Sequence, residues 1–156
     1  MGRSDLPTLH LTNWSSRRLH GPGRRWSIMA RPRPWERGDG TCIPLTPLGP
    51  PAVLLDLLLV QRRAGTVDPH LLDRYREAMA HRWGPQEYGP ELGPGKLWAV
   101  PDEGPPVRVA DGDSLLCACS REEAAAGRCH RAWAAPVLVQ AGWRVVLDGT
   151  DVTEAR

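Results

Sequence analysis

This sequence has neither a long apolar run nor an apolar leader. Its longest apolar stretch, from Pro50 to Val60, is interrupted by Asp56, so no segment reaches the roughly 20 apolar residues that a membrane-spanning helix needs. Residues 1–11 lack the apolar core of a secretory signal. We therefore expect a cytoplasmic protein that has no membrane partner.

Phenylalanine is absent and cysteine is scarce, with four cysteines among 156 residues. Four unevenly spaced cysteines without an export signal indicate a metal site or a reactive thiol rather than a disulfide framework. Hydrophobic residues still make up 41% of the chain and charged residues 24%, which is close to the globular average. The composition therefore excludes disorder throughout and predicts one folded domain over residues 1–156.

Lysine and asparagine occur once each, as Lys96 and Asn13, so arginine supplies nearly all of the positive charge. The basic surplus lies in residues 1–40, whereas the rest of the chain holds more acidic than basic residues. This asymmetry fits an anionic ligand such as a nucleotide or a nucleic-acid backbone. A solvated arginine-rich loop is the alternative interpretation of the same charges.

Local patterns predict the elements of the first two thirds of the chain. Short apolar-rich runs favour strands, and proline at the start of a leucine-rich stretch favours a helix. The predicted strands span residues 8–12, 26–30 and 96–100, and the predicted helices span 52–63 and 69–83. Residues 31–51 carry six prolines and predict a long loop or lid.

The last third of the chain predicts a strand, a helix and a second strand. The strand covers residues 114–119, the helix 132–140 and the second strand 144–148, with residues 149–156 as a tail. Strand, helix and strand in this order form a βαβ unit with parallel strands. We expect a small three-layer α/β fold, Rossmann-like, with a mostly parallel sheet and long loops rich in proline and glycine.

Three cysteines and a histidine fall where such a sheet binds its ligands, beyond the carboxyl ends of the strands. Cys117 and Cys119 end a predicted strand with their side chains on the same face, and Cys129 and His130 open the next helix. Together they offer the four ligands of a tetrahedral zinc ion. An iron–sulfur cluster that also uses Cys42 is a less favoured alternative.

The same residues also allow chemistry without a metal. Cys129 lies at a helix N-terminus between basic neighbours, a setting that lowers the pKa of a thiol and makes it a nucleophile. His130 would then act as its base, and Arg131 would hold a phosphate or carboxylate. In a third interpretation Cys117 and Cys119 are small buried hydrophobic residues without chemistry.

Three segments resemble one uncharacterised family, and one of them, residues 73–76, Asp-Arg-Tyr-Arg, is similar to its helix with a Tyr-Arg pair. Residues 116–119, Leu-Cys-Ala-Cys, followed by a polar loop and by Cys129 and His130 at the start of an apolar helix, resemble the C-terminal signature of a bacterial and phage family. That family is catalogued as domain of unknown function 4326. Residues 31–35, Arg-Pro-Arg-Pro-Trp, are similar to its basic, tryptophan-containing stretch after an early strand.

The resemblance implies that the loop over residues 31–35 meets the start of the Cys129 helix at one edge of the sheet. There Trp35 would stack on a base, and Arg31 or Arg33 would contact phosphate. The alternative for Trp35 is that it packs the loop against the core. We therefore expect an enzyme that acts on a nucleotide or a nucleic-acid base. The alternative is a non-catalytic module of phage or defence origin that binds nucleic acid or a protein and has structural cysteines.

Overall fold

The computed structural model describes residues 5–29, 42–45, 52–83, 92–99, 105–127 and 129–154. Its strands are β1 Thr8–Asn13, β2 Arg25–Ser27, β3 Cys42–Pro44, β4 Trp98–Ala99, β5 Val107–Arg108, β6 Ser114–Cys117, β7 Arg144–Leu147 and β8 Thr150–Asp151. Its helices are α1 Ala52–Arg63, α2 Pro69–Trp83, α3 Arg121–Ala125 and α4 His130–Ala141. Within these ranges no helix combines the length and apolar character needed to cross a membrane.

The main sheet is mostly parallel and has the strand order β3-β2-β6-β1-β7-β8. The first five of these strands run parallel, and only β8 pairs antiparallel, with β7. Strands β4 and β5 form a separate antiparallel pair. The prediction of an α/β fold with a mostly parallel sheet is confirmed.

Strand β1 separates the two strands of the predicted βαβ unit. His10 of β1 pairs with Ser114 of β6 on one side and with Val146 of β7 on the other. The sequence predicted β6 and β7 as a parallel pair, whereas both pair with β1 because the connection through α3 and α4 crosses over it. All three strands consequently end at one edge of the sheet.

Strand β6 is buried on both faces, whereas β1 is fully buried on the face of Leu9 and Leu11 and half-buried at Thr8 and His10. All four residues of β6 are buried, and Leu9 and Leu11 of β1 are 0% exposed. Because successive side chains of a strand point to opposite faces, burial of every position means that both faces of β6 are covered.

The three long helices pack against one another. Helix α2 contacts α1 on one side and α4 on the other, and α4 contacts β7 and β1. The predicted bounds 52–63 and 69–83 agree with α1 and α2. Asp68 begins α2 as the pattern predicts, because its carboxylate accepts a hydrogen bond of 2.9 Å from the backbone N–H of His70.

Two predicted irregular segments contain strands. Cys42–Pro44, inside the predicted loop or lid over 31–51, forms β3 at the edge of the sheet, the position where a proline is tolerated in a strand. Most of that loop lies outside the described residues. Thr150–Asp151, inside the predicted tail, forms β8 because the left-handed turn at Asp148 and Gly149 folds the chain back onto β7.

Candidate metal centre

Three cysteine sulfurs converge between the end of β6 and the start of α4. The sulfurs of Cys117, Cys119 and Cys129 all lie within 4.8 Å of one another, and those of Cys117 and Cys129 are 3.4 Å apart. All three thiols are free; Cys117 and Cys129 are buried, and Cys119 is half-buried. The predicted convergence of these cysteines is confirmed, and the group can hold a metal ion.

The fold explains why residues that are 12 positions apart meet. Cys117 is the last residue of β6, and Cys119 follows it beyond the carboxyl end of the strand. Cys129 precedes the first residue of α4 with an extended backbone at φ −127° and ψ 137°. Since α4 returns over the sheet, its N-terminus lies beside the strand end from which the connection left.

His130 lies beside the sulfur of Cys129, outside the group of three sulfurs that converge within 4.8 Å, in a form that can bind a metal. Its Nε2 donates a hydrogen bond of 2.8 Å to the carbonyl oxygen of Ile28. Nδ1 therefore has the lone pair of the neutral ring, and it lies 4.0 Å from the sulfur of Cys129. Burial lowers the pKa of His130 and keeps it neutral, the state in which imidazole binds metals. A carbonyl on the other ring nitrogen is the usual support of a ligating histidine.

Arg131 is completely buried, and its guanidinium points into the protein. Its Nη1 donates to the sulfur of Cys117 at 3.0 Å and to the carbonyl of Cys119 at 2.7 Å. Its Nη2 donates to the carbonyl of Ser120 at 3.2 Å and to the carboxylate of Asp148 at 3.0 Å. This arrangement uses the guanidinium to fix the strand end rather than to reach a ligand.

The three thiols differ in their readiness to ionise. Hydrogen bonds from Cys117 and Cys129 lower the pKa of Cys119, and the guanidinium of Arg62, 3.7 Å from its sulfur, adds to this effect. Burial raises the pKa of Cys117 to about 11. The pKa of Cys129 is also raised, because its thiol donates to the other two sulfurs. These directions make Cys119 the most readily ionised of the three thiols.

A small pocket reaches the cluster from one side. Its volume is about 230 Å³, and Cys119, Cys129 and His130 lie in its wall together with Arg62. The rest of the wall is largely apolar and comes from α1, α2 and the ends of β2 and β6: Met29, Leu55, Leu58, Leu59, Tyr75 and Ala118. The pocket therefore combines an apolar body with a sulfur-rich, cationic end.

The structure adds two residues that the sequence did not identify. Arg62 lies in the last turn of α1, 57 positions from Cys119, and Asp148 follows β7, 17 positions from Arg131. No local pattern marks either residue as part of a site. Their roles depend on the packing of separate elements.

The remaining predicted site residues are Arg31, Arg33, Trp35 and Cys42. Arg31, Arg33 and Trp35 lie outside the described residues. Cys42 belongs to β3, and its part in an iron–sulfur cluster stays a prediction. Within the described ranges, no other group of three or more cysteine, histidine or acidic ligands converges.

Comparisons with protein-family models, curated proteins and solved structures find no match for this chain.

Proposed function

We propose that this protein is a small α/β enzyme with a zinc ion bound by Cys117, Cys119, Cys129 and His130. The convergence of three sulfurs carries the proposal. A tetrahedral zinc with Zn–S bonds of about 2.3 Å separates its sulfurs by about 3.8 Å. The observed 3.4 Å between Cys117 and Cys129, and the limit of 4.8 Å for the whole group, lie on either side of that value.

The charges around the cluster fit this metal. Three thiolates and a neutral imidazole around Zn²⁺ leave one net negative charge in a buried place, and such a charge needs a partner. Arg131 supplies the positive charge at 3.0 Å from the sulfur of Cys117. A bound zinc would also remove the protons that keep Cys117 and Cys129 neutral, because metal ligation deprotonates a thiol.

We further propose that the substrate is a nucleotide or a nucleic-acid base, and that only the base enters the pocket beside the metal. The pocket, at about 230 Å³, is smaller than the roughly 300–1,000 Å³ of sites for drug-sized ligands, so it suits a single ring system. Arg31 and Arg33 would hold the phosphate and Trp35 would stack on the base. In this role Cys129, His130 and Arg131 act as one site, in which Arg131 positions the cysteines.

We extend the proposal to the architecture and to the family. A three-layer, Rossmann-like fold is supported by the burial of β6 on both faces, which requires cover on each side of the sheet. Membership of the family catalogued as domain of unknown function 4326 is supported by the convergence of the cysteines that form the shared signature.

A non-catalytic module with structural zinc is the second candidate. The burial of Cys117 and Cys129, each 1% exposed, favours it, because closed four-ligand sites are typically structural. A steep fall of nucleic-acid affinity with rising salt would support this candidate, since phosphate contacts release counterions.

Metal analysis of protein purified without chelator, with an absorption spectrum, tests the metal centre. We expect about one zinc per chain in the wild type, and loss of the metal in Cys119→Ser. Cys42→Ser is the matched control, because Cys42 is the one cysteine not shown in the cluster, and it should retain the zinc. A brown cluster that Cys42→Ser abolishes, or a metal-free protein that does not take up zinc, would refute the zinc centre.

A further inference from the structure

A second concave site lies at the carboxyl edge of the main sheet. It is an open depression of about 850 Å³ with a largely apolar wall that carries a few polar side chains, and it shares no lining residue with the pocket beside the cysteines. Its wall comes from the ends of β1 and β7 and from the segment after β6. The polar side chains that the argument uses are those of Asn13, Ser16, Arg121, Glu122 and Asp148.

The strand order places this depression where an α/β sheet is expected to form a ligand-binding crevice. From β1 the chain proceeds to β2, which lies beyond β6, whereas from β6 it proceeds to β7, which lies beyond β1. The connections that follow the neighbouring strands β1 and β6 therefore run in opposite directions across the sheet. At such a point a crevice forms outside the carboxyl ends of the strands, and ligands of open α/β sheets bind there.

Asn13 lies in the wall of this depression and presents its side-chain amide to it. The residue is only 7% exposed, and its Oδ1 accepts a hydrogen bond of 2.9 Å from the backbone N–H of Ser16. This bond fixes the amide group, and no hydrogen bond from Nδ2 occurs among the contacts of the described residues. The amide is thus held in place with its two N–H groups available to a ligand.

Asp148 supplies a fixed acceptor in the same depression. Its Oδ1 accepts from the hydroxyl of Thr12 at 2.9 Å and from Arg131 at 3.1 Å, and its Oδ2 accepts from Arg131 at 3.0 Å. A carboxylate has about four acceptor sites, so one site on Oδ2 remains. Because Arg131 is buried, the carboxylate is rigid before any ligand arrives.

The exposed part of the depression offers charges of both signs. Arg121 is exposed and has no ion pair within the described part of the chain, and Glu122 lies beside it. Acceptors for hydroxyl groups, an amide donor and a free cation together match a ligand that combines a sugar with an anionic group.

We propose that this depression is a second ligand site and that it binds a ribose phosphate, the part of a nucleoside monophosphate that its polar side chains can recognise. One ribose hydroxyl donates to Asp148, the amide of Asn13 donates to the ligand, and Arg121 pairs with the phosphate. The site goes beyond the proposed function, because it needs neither the zinc nor the pocket beside it.

Calorimetric titration with adenosine monophosphate (AMP) and with adenosine tests the proposal. We expect both ligands to bind. Arg121→Gln should lower the affinity for AMP by about tenfold or more, since one hydrogen bond to a charged group has this magnitude, and should leave the affinity for adenosine unchanged. Asn13→Ala should weaken both ligands. Arg108→Gln is the matched control, because it removes an exposed arginine that does not line the depression.

Cys119→Ser and Arg62→Gln separate this site from the proposed substrate pocket. AMP binding that these two variants preserve and that Arg121→Gln weakens supports the depression, whether or not zinc is bound. AMP binding that Cys119→Ser or Arg62→Gln abolishes, but that Arg121→Gln and Asn13→Ala leave intact, assigns AMP to the pocket and overturns the inference. Absence of AMP binding to a folded wild type overturns it as well.

Discussion

Replacing Arg131 by methionine tests how strongly the buried guanidinium stabilises the site. Methionine keeps an unbranched side chain that can fill most of the space, so the change removes mainly the charge and the donors. In the native protein the group is 0% exposed and donates to Asp148, to Cys117 and to the carbonyls of Cys119 and Ser120. The variant leaves each of these acceptors without that donor.

The expected loss follows from the burial of the ion pair. Removing one partner of a buried pair costs about 3–5 kcal/mol, because the other charge stays buried and unpaired. The carboxylate of Asp148 is 15% exposed, so water recovers a part of this free energy. We therefore expect a loss near the lower end, about 3 kcal/mol, out of the roughly 5–15 kcal/mol that stabilise a domain.

Urea unfolding of the zinc-free protein measures this loss. Arg131→Lys should give an intermediate loss, since an ammonium keeps the charge but not the fork of donors. Arg144→Met is the matched control: Arg144 forms an ion pair with Asp151 at 2.7 Å, but both side chains are over 40% exposed, so the loss should stay below about 1 kcal/mol. Zinc affinity provides a second readout, because loss of a group that supports the ligands typically weakens metal binding about 10–100-fold.

Equal losses in Arg131→Met and Arg144→Met would refute this reasoning, because they would mean that burial adds nothing to the pair. A double variant of Arg131→Met with Asp148→Asn is expected to lose less than the sum of the two single changes, since both remove the same interaction. Additive losses would contradict the direct coupling of the two side chains.

Three further predictions concern parts of the fold away from the cysteines. Hydrogen bonds from Thr153 and from Arg144 lower the pKa of Asp151 from 3.8 to about 2, so its contribution to stability is present above pH 3.8 and is lost as the pH falls towards 2. Asp151→Asn should therefore be less stable than the wild type near neutral pH, and the difference should vanish by about pH 2 in acid unfolding curves; a constant difference would contradict the shift. Gly23→Ala places a Cβ against the carboxylate of Asp113, which is held in place by hydrogen bonds from the backbone N–H groups of Arg24 and Ala110. Thermal unfolding should therefore show a loss of roughly 1–3 kcal/mol in unfolding free energy; an unchanged Tm would show that the loop shifts to make room for the Cβ. Trp143→Phe removes a buried donor whose Nε1 lies 2.6 Å from a backbone carbonyl and should lower the unfolding free energy by about 1–3 kcal/mol, whereas an unchanged value would indicate that water replaces the bond.

Local sequence signals predicted the elements whose cause is local. Proline at the start, the Asp68 cap and the leucine spacing predicted the bounds of α1 and α2, and alternating apolar residues predicted β1. Gly142 ends the helix before β7 in the left-handed conformation at φ 112° that favours glycine. Each of these features depends on neighbours within one or two turns of the chain.

The sequence also predicted that the cysteines meet, because the end of a strand and the start of the helix that follows it lie at the same edge of a parallel sheet. It assigned Arg131 to an anion, however, whereas the structure directs its guanidinium towards Cys117 and Asp148. Residue type and spacing do not determine whether an arginine at a helix start faces solvent or the protein interior. That choice depends on which acceptors the packed elements place around it.

Tertiary structure alone decided the strand order and which distant residues contact the cysteine cluster and Arg131. That β1 lies between β6 and β7, that Arg62 approaches Cys119, and that Asp148 fixes Arg131 all depend on contacts between distant parts of the chain. Such contacts form because burying the apolar faces of helices and strands together stabilises the whole fold, and that free energy belongs to the packed assembly rather than to any one segment.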